Sequence, residues 1–313
     1  MNRRNFLKFT LITSATPLLA DQEISRQNSQ MMSIIDLDLC DGCEGFEVPK
    51  CISACKTHNK DKFPNPKKPI MNYWPQKKYE DYSDKKDIID RLTPYNWTYV
   101  QKIEINGKKI NIPRRCMHCD NPPCQKLCPF GVISKDKYGA VDIDKDFCFG
   151  GAKCRDACPW QIPQRQAGVG LYLNIAPKLA GGGVMYKCDM CKDLLNKGDK
   201  PACQNQCPKK AIKFAPKNEI MSIVNKENRH IYGLKENGGT STIYLSSVDF
   251  ESINEAITKK YENLTNKIGR PHMARVDSPL QKSENLAMAV MITPLAAIGA
   301  ATISAIKWNK KDK

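Results

Sequence analysis

Fifteen cysteines among 313 residues are the side chains best suited to chemistry in this chain. Thiolates at fixed spacings can form disulfides, bind zinc or hold iron–sulfur clusters. An odd number of cysteines in a chain of this length argues against a disulfide scaffold, which is typical of small secreted domains. The grouping of the cysteines therefore has to decide between the two kinds of metal site.

The cysteines fall into four groups with related spacings. In chain order the groups are Cys40-x2-Cys43-x7-Cys51-x3-Cys55, Cys116-x2-Cys119-x4-Cys124-x3-Cys128-Pro129, Cys148-x5-Cys154-x3-Cys158-Pro159 and Cys188-x2-Cys191-x11-Cys203-x3-Cys207-Pro208. The first group has a lengthened loop, and the third has Gly151 where its second cysteine is expected. This spacing is typical of bacterial ferredoxins, in which three thiolates of a loop hold one cubane and the fourth serves the neighbouring cluster.

A zinc protein is the competing interpretation of the same thiols. Zinc sites usually show two pairs of ligands separated by a finger, often with histidine. Runs of three or four cysteines, three of them ending in Cys-Pro, and only four histidines favour iron–sulfur clusters instead. The formal charge of +16 decides nothing, because it fits nucleic acid, an anionic membrane, an acidic partner or AT-rich coding equally. We expect no nucleic-acid partner.

The two ends of the chain predict its location. Residues 2–8 read NRRNFLK and precede an uncharged stretch, residues 9–20, which together predict a twin-arginine signal peptide over residues 1–20. Residues 286–306 carry no charge and are long enough to span a bilayer core of about 30 Å. Four lysines in the tail, residues 307–313, predict that the tail stays in the cytoplasm. The globular part should therefore lie at the periplasmic face of the inner membrane, exported by the twin-arginine route and held by one C-terminal helix.

The second cysteine group carries a resemblance to a known family. Residues 116–124, CMHCDNPPC, resemble the four-cluster iron–sulfur (beta) subunits of membrane-bound respiratory oxidoreductases, which include formate dehydrogenase, dimethylsulfoxide reductase and nitrate reductase. The signal, residues 232–240 (YGLKENGGT) and residues 283–286 (SENL) are most similar to the HybA-type hydrogenase electron-transfer subunit. The resemblance covers essentially the whole chain. It implies an α+β fold of two intertwined bacterial-ferredoxin-like modules with inserted loops, plus one C-terminal transmembrane helix.

The resemblance also implies which cysteines act together, because in this family the first group pairs with the fourth and the second with the third. The four implied sites are site 1 (Cys40, Cys43, Cys51, Cys207), site 2 (Cys116, Cys119, Cys124, Cys158), site 3 (Cys148, Cys154, Cys128, with an open corner at Gly151) and site 4 (Cys188, Cys191, Cys203, Cys55). Sites 1, 2 and 4 should hold [4Fe–4S] clusters. At site 3 we expect a [3Fe–4S] cluster, the most oxidising of the four; a [4Fe–4S] cluster with a water or hydroxide ligand, or no cluster, are the alternatives.

The domains expected from these features are the signal peptide at 1–20, a four-cluster ferredoxin-like domain at 33–222 with an insertion at 60–112, a C-terminal extension at 223–285, the transmembrane anchor at 286–306 and the cytoplasmic tail at 307–313. Within them, Asn106-Gly107 predicts a hairpin between Thr98–Ile105 and Lys108–Ile112. Val141–Asp144 should be a strand, Gly168–Met185 a flexible connection and Ile253–Asn266 an amphipathic helix. His118 and Trp160 should pack near a cluster, a ligand or proton-relay role for His118 being the alternative.

These features together predict an electron-transfer subunit. Electrons would pass between a periplasmic catalytic subunit, for which a hydrogenase is favoured, and an integral membrane partner that exchanges with quinone. The alternative is the beta subunit of a formate dehydrogenase or another molybdopterin oxidoreductase, and a third interpretation is a free-standing iron–sulfur reductase acting at the open corner. The sequence contains no constellation for substrate catalysis, so no catalytic residue is predicted.

Overall fold

The fold is mixed α+β in a computed structural model that describes residues 30–72, 79–175, 177–178, 182–281 and 283–311. The predicted signal peptide, residues 1–20, lies outside the described residues. The helices are α1 (Lys50–His58), α2 (Pro123–Lys126), α3 (Lys153–Asp156), α4 (Tyr172–Ile175), α5 (Lys192–Asn196), α6 (Ala202–Asn205), α7 (Lys217–Val224), α8 (Phe250–Lys260) and α9 (Ser283–Lys311). The strands are β1 (Met31–Asp36), β2 (Tyr99–Ile105), β3 (Lys108–Arg114), β4 (Ile133–Lys135), β5 (Val141–Ile143), β6 (Gln164–Gln166), β7 (Val184–Tyr186), β8 (Ile212–Pro216), β9 (His230–Tyr232) and β10 (Thr242–Ser246).

The largest sheet of the described chain has four strands in the order β8-β1-β10-β9. β1 pairs antiparallel with β8 and parallel with β10, with Ser33 opposite Phe214 and Thr242 respectively. β10 pairs antiparallel with β9. The first strand of the described chain is therefore held between strands that come much later in the sequence, since β8 begins at residue 212.

Alternation along β1 and its neighbours divides the core between the two faces of the sheet. Ile34 joins a small apolar cluster that α7 covers with Ile220 and Val224. Ile35 points to the opposite face and joins the large cluster, to which most of the cysteines also belong. Successive side chains of a strand point to opposite faces, so the burial of both Ile34 and Ile35 means that both faces of β1 are covered. A strand covered on both faces has a largely apolar sequence.

Three further antiparallel pairs of strands, β2-β3, β4-β5 and β6-β7, form two-stranded sheets. The predicted hairpin at Asn106-Gly107 is confirmed: both residues have positive φ, 51° and 76°, as a type I′ turn requires. The strand predicted at Val141–Asp144 is β5, which ends at Ile143 and pairs with β4. The cysteine groups lie in the segments between these short strands.

The segment Gly168–Met185, predicted as a flexible connection, is more ordered than expected where it is described. α4 lies within it, and its end forms β7, which pairs with β6. At Gly183, with φ 136°, an added Cβ would lie 1.9 Å from the carbonyl oxygen of Gln166. The glycine therefore permits two backbone segments to approach closely. The glycine-rich composition had suggested flexibility instead.

The insertion between the first two cysteine groups contains a long irregular segment. Among the described residues from 63 to 92 there is no helix or strand. The segment is held by Glu80, whose carboxylate accepts two 2.8 Å hydrogen bonds from Arg155 and one of 2.7 Å from Arg165. Its carbonyl oxygen accepts from the Ala167 amide at 2.8 Å. The loop is thus fastened to the part of the fold that carries site 3.

The C-terminal helix α9 is the one helix in the described part of the chain that is long and apolar enough to cross a membrane, over Ala287–Trp308. Only 6% of its apolar stretch is buried. The helix contacts the rest of the chain closely but over a small area. An added Cβ at Gly131 would meet the Ala296 carbonyl oxygen at 2.3 Å, and Lys307 forms an ion pair with Asp144. The helix therefore lies along the side of the body that carries the third cysteine group.

Candidate cofactor sites

The loops before the helices point backbone amides at sulfur. The amides of Lys50, Gly150 and Met190 each donate to a cysteine Sγ at 3.4 Å, on Cys43, Cys148 and Cys188 respectively. Left-handed residues make these tight loops possible, among them Cys43 and Cys191 at φ 57° and 48°. Amide hydrogen bonds to sulfur are a known means by which proteins set the potential of a cluster.

Short helices place the later cysteines of each group. α1 carries both Cys51 and Cys55, whereas the four-residue helices α2, α3 and α6 carry the third cysteine position of their groups. In those three groups the fourth cysteine and its proline follow the end of the helix, at Cys128, Cys158 and Cys207. Since proline disfavours helical backbone in the residue before it, Cys-Pro stops the turn and leaves the fourth thiol free to face another group.

Three of the four implied sites surround small cavities. The site 2 cavity is lined by Cys116, Cys119, Cys124 and Cys158. The site 4 cavity is lined by Cys55, Cys188, Cys191 and Cys203. The site 3 cavity is lined by Cys128, Cys148, Cys154 and Gly151. Each cavity draws cysteines from two different groups, so that thiols far apart in sequence face one space.

Site 1 lies nearer to solvent. Cys40, Cys43 and Cys207 are half-buried, whereas Cys51 is buried. Burial raises the pKa of the Cys40 thiol to about 11, and the thiolates of Cys207 and Cys43 add to the effect. All three partners also raise the pKa of Cys51, after burial. The four thiols therefore act on one another across two cysteine groups.

The electrostatics of the buried thiols fit a cationic metal cluster. Burial raises the pKa of Cys188 to about 12, with further contributions from Asp189 and Cys116. The pKa values of Cys55 and Cys154 are raised well above their usual range by burial and by neighbouring thiolates. Burial and mutual repulsion both disfavour four neighbouring thiolates. Bound metal cations favour the thiolate form instead, because their positive charge attracts the sulfur ligands and deprotonates them. Soft thiolates without carboxylate or imidazole in the set suit iron–sulfur clusters.

Electrostatic contacts between thiols of neighbouring sites link the sites in the order 1, 4, 2, 3. Cys203 of site 4 acts on Cys51 of site 1. Cys116 of site 2 acts on Cys188 of site 4. Cys124 of site 2 acts on Cys154 of site 3. The first and fourth groups thus form one half of the row, and the second and third groups form the other.

Gly151 leaves one corner of site 3 without a thiol. It is exposed, although the three cysteines of the site are buried. An added Cβ would have no atom within 4 Å, and φ lies outside the left-handed range. Neither packing nor backbone conformation therefore requires glycine here, and the corner opens to solvent.

His118 and Trp160 both occupy packed positions. His118 is fully buried, and its Nδ1 accepts a 3.0 Å hydrogen bond from the Val141 amide. Burial, with the nearby charges of Lys187 and Arg115, holds the pKa of His118 well below its usual range, so the ring is neutral. Trp160 borders the site 2 cavity and donates to the Tyr232 hydroxyl at 2.7 Å. The predicted packing role agrees with these contacts.

Two basic residues at the cavities were not anticipated from the sequence. Arg115 lines the site 4 cavity and Lys187 lines the site 2 cavity. Each directly precedes the first cysteine of its group, Cys116 or Cys188. That adjacency is a sequence signal, but in a chain so rich in lysine and arginine it does not stand out.

Comparison with known families agrees with this geometry. Two family profiles, both described as 4Fe-4S dicluster domain, match residues 107–217 and 39–132. Together the two matches span all four cysteine groups. The chain is therefore an iron–sulfur electron-transfer protein of the ferredoxin type, with two 4Fe–4S dicluster domains.

Individual proteins with similar sequences include an iron–sulfur subunit of an oxidoreductase, at low sequence identity. The Hydrogenase-2 operon protein HybA of Escherichia coli O157:H7 is 26% identical, with 100% of this chain and 97% of that protein covered. The nitrate-inducible formate dehydrogenase iron-sulfur subunit of E. coli K12 is 27% identical over 78% of this chain and 76% of its own length. YnfG of E. coli K12, named as part of a probable anaerobic dimethyl sulfoxide reductase, is 37% identical over 34% of this chain and 45% of its own length.

Proposed function

We propose that this chain conducts electrons through four iron–sulfur clusters between a catalytic oxidoreductase subunit and a membrane partner that exchanges with quinone. The observation that carries the proposal is the row of four thiol sites, each built from two cysteine groups. The ligands would be Cys40, Cys43, Cys51 and Cys207 at site 1, Cys188, Cys191, Cys203 and Cys55 at site 4, Cys116, Cys119, Cys124 and Cys158 at site 2, and Cys148, Cys154 and Cys128 at site 3. When bound, the clusters supply one-electron redox chemistry.

The two ends of the row support two different docking partners. At site 1, half-buried thiols lie near the exposed side chains of Leu39 and Phe46, which are 51% and 50% exposed. At site 3, Phe130 and Phe149 line the cavity and stack at 4.8 Å, and α9 passes beside Phe130. We infer that the catalytic subunit docks at the site 1 end and that the site 3 end faces the membrane.

A hydrogenase is the favoured catalytic partner because the HybA protein matches this chain from end to end. The formate dehydrogenase and dimethyl sulfoxide reductase relatives support a molybdopterin enzyme as the second candidate. A free-standing reductase has one supporting observation, the exposed corner at Gly151. Turnover of a physiological substrate by the isolated chain would favour that reductase over an electron conduit.

For site 3 we propose a [3Fe–4S] cluster. Three buried cysteines and a glycine offer three protein ligands, one fewer than a cubane takes at the other sites. A [4Fe–4S] cluster with a solvent ligand remains the alternative. A cluster with one thiolate fewer carries less negative charge, which favours a higher reduction potential.

We further propose that α9 anchors the protein at the periplasmic face of the inner membrane after export on the signal at residues 1–20. Insertion of Ala287–Trp308 would require the helix to leave its contacts with Gly131 and Asp144. Those contacts bury little of the helix, so their loss is offset by transfer of an apolar surface into lipid.

The test of the proposed function is the metal content of the full chain purified without oxygen. We expect iron and acid-labile sulfide for about four clusters, and uptake of about four electrons per chain during reductive titration. Electron paramagnetic resonance of the air-oxidised protein should show a [3Fe–4S] signal. A colourless, zinc-loaded or metal-free preparation would refute the function, and an iron-loaded protein without that signal would refute only the site 3 assignment.

A further inference from the structure

Two buried cations lie where the two halves of the row of sites meet. Arg115 is 2% exposed and borders the site 4 cavity, and Lys187 is 4% exposed and borders the site 2 cavity. Sites 4 and 2 are neighbours, because Arg115 at the site 4 cavity directly precedes Cys116 of site 2, and Lys187 at the site 2 cavity directly precedes Cys188 of site 4. Charged side chains are rarely buried to this degree without a partner of opposite charge.

No carboxylate neutralises Lys187 by direct pairing in the described chain. Its Nζ donates to the carbonyl oxygens of Val141 and Cys188, the latter at 3.0 Å. The nearest influential carboxylate, Asp142, forms its own ion pair with Lys192. Its ammonium group is thus held by neutral carbonyl oxygens, in a cavity that the thiols of Cys116 and Cys124 also line.

Arg115 is fixed on one side and faces site 4 on the other. Its Nη2 donates to the Ser33 hydroxyl, and its guanidinium lies 4.5 Å from the Phe214 ring centroid. Nε and Nη1 have no well-aligned hydrogen bond among the described residues, and the Cys188 thiol of site 4 is within reach of the guanidinium. The carboxylate at the same cavity, Asp189, is already paired with Lys62 at 2.9 Å, so it does not cancel the charge of Arg115.

We propose that Lys187 and Arg115 form a fixed positive bridge between sites 2 and 4 that raises the reduction potentials of the two clusters held there. The inference rests on the proposed function, since it needs clusters at those sites. A cluster gains one negative charge on reduction, and a nearby buried cation stabilises that charge more than solvent-exposed lysines do. Electrons arriving from either end would therefore meet favourable acceptors at the middle of the row.

The experiment is a potentiometric titration, followed by electron paramagnetic resonance, of the full chain carrying Lys187→Met or Arg115→Met. We expect iron and sulfide at the wild-type level and a lower potential for two centres. The expected change is at least tenfold in the ratio of reduced to oxidised cluster at fixed potential, about 59 mV for a one-electron couple. Lys187→Arg keeps the charge and should restore wild-type potentials.

Arg114→Met is the matched control, because Arg114 is equally buried but donates to the His272 carbonyl oxygen and lies over Tyr244, away from the cavities. In Arg114→Met the ratio of reduced to oxidised cluster at fixed potential should stay within twofold of the wild-type ratio for both centres. Wild-type metal content with unshifted potentials in both test variants would overturn the bridge. So would loss of iron in Lys187→Met that Lys187→Arg repairs without any shift in Arg115→Met, since that pattern indicates a role in assembly. Absence of clusters in the wild type would instead overturn the proposed function.

Discussion

Gly151 is the position at which this chain departs from its own cysteine pattern, and the departure has no local structural cause. A Cβ would fit there without contact, and the backbone is not left-handed. The neighbouring residues still supply the other three thiols. The missing thiol can therefore be restored by a single substitution.

We expect Gly151→Cys to convert site 3 to a [4Fe–4S] cluster. The oxidised [3Fe–4S] resonance should disappear, one more iron should bind per chain, and the potential of the centre should fall because a thiolate adds negative charge. Gly151→Ala adds the Cβ without the sulfur and should keep the wild-type spectrum. An unchanged resonance in Gly151→Cys would mean that the corner does not face the cluster.

Glu80 is a second residue with a testable role, since it fastens the insertion to Arg155 and Arg165. Burial acts against its charge, but the two guanidinium groups outweigh it and hold the pKa of Glu80 below its usual range. A lowered pKa means that the contribution is present above the unfolded-state pKa, about 4.3, and is lost only as pH falls through the folded value.

Glu80→Gln should therefore lower the free energy of unfolding by about 2 kcal/mol, because two largely buried cations lose their counter-charge. The loss should be constant from about pH 8 to about pH 5 in urea titrations. Glu219→Gln removes an exposed pair with Lys213 and should cost less than about 1 kcal/mol. Equal losses in the two variants would show that the Glu80 contacts do not hold the insertion.

Among the elements, α8 shows how far apolar spacing can be trusted. The spacing of Ile253 and Ile257 correctly predicted a helix, and both side chains are buried in the large cluster. The predicted bounds, Ile253–Asn266, were wrong at both ends. The helix begins at Phe250 because the Asp249 carboxylate accepts from the Ser252 amide at 2.7 Å, and it ends at Lys260. Apolar spacing alone could not locate the start of the helix, because the capping residue, Asp249, is polar and precedes the first buried position, Ile253.

Removal of that cap gives a prediction at the scale of the element. Asp249→Ala should lower the free energy of unfolding, whereas Asp249→Asn should lower it much less, because asparagine caps a helix about as well as aspartate does. Chemical unfolding followed by the tryptophan signal compares the two variants with the wild type. A loss shared by alanine and asparagine would point to charge rather than capping as the cause.

For the whole molecule, α9 can be separated from the body. A chain ending at Gln281 should leave the membrane fraction while keeping iron and sulfide at the full-length level, because so little of the apolar stretch is buried. Fractionation and metal analysis of the same preparation test both parts. Continued membrane association of the truncated chain would assign the attachment to a partner, and loss of iron would show that α9 supports site 3.

The cysteine sites were within reach of the sequence, and the surrounding sheet was not. Three cysteines of each complete group lie on one loop and its helix, so spacing alone identifies them, whereas the partner from another group came only through the family resemblance. The pairing of β1 with β10 joins Ser33 to Thr242 and has no local signature. β9 and β10, which follow the predicted boundary at residue 222, complete the four-stranded sheet and likewise have no local signature.

The position of β1 in that sheet also has a consequence for folding during synthesis. Its neighbours β8 and β10 end at residues 216 and 246, so β1 is synthesised long before the two strands that pair with it. Cys40, Cys43 and Cys51 follow β1, and Cys207, the fourth thiol proposed for site 1, precedes β8. A ribosome must therefore have translated most of the chain before the four thiols proposed for site 1 can come together. Iron delivered to a shorter nascent chain would find only three of the four thiols.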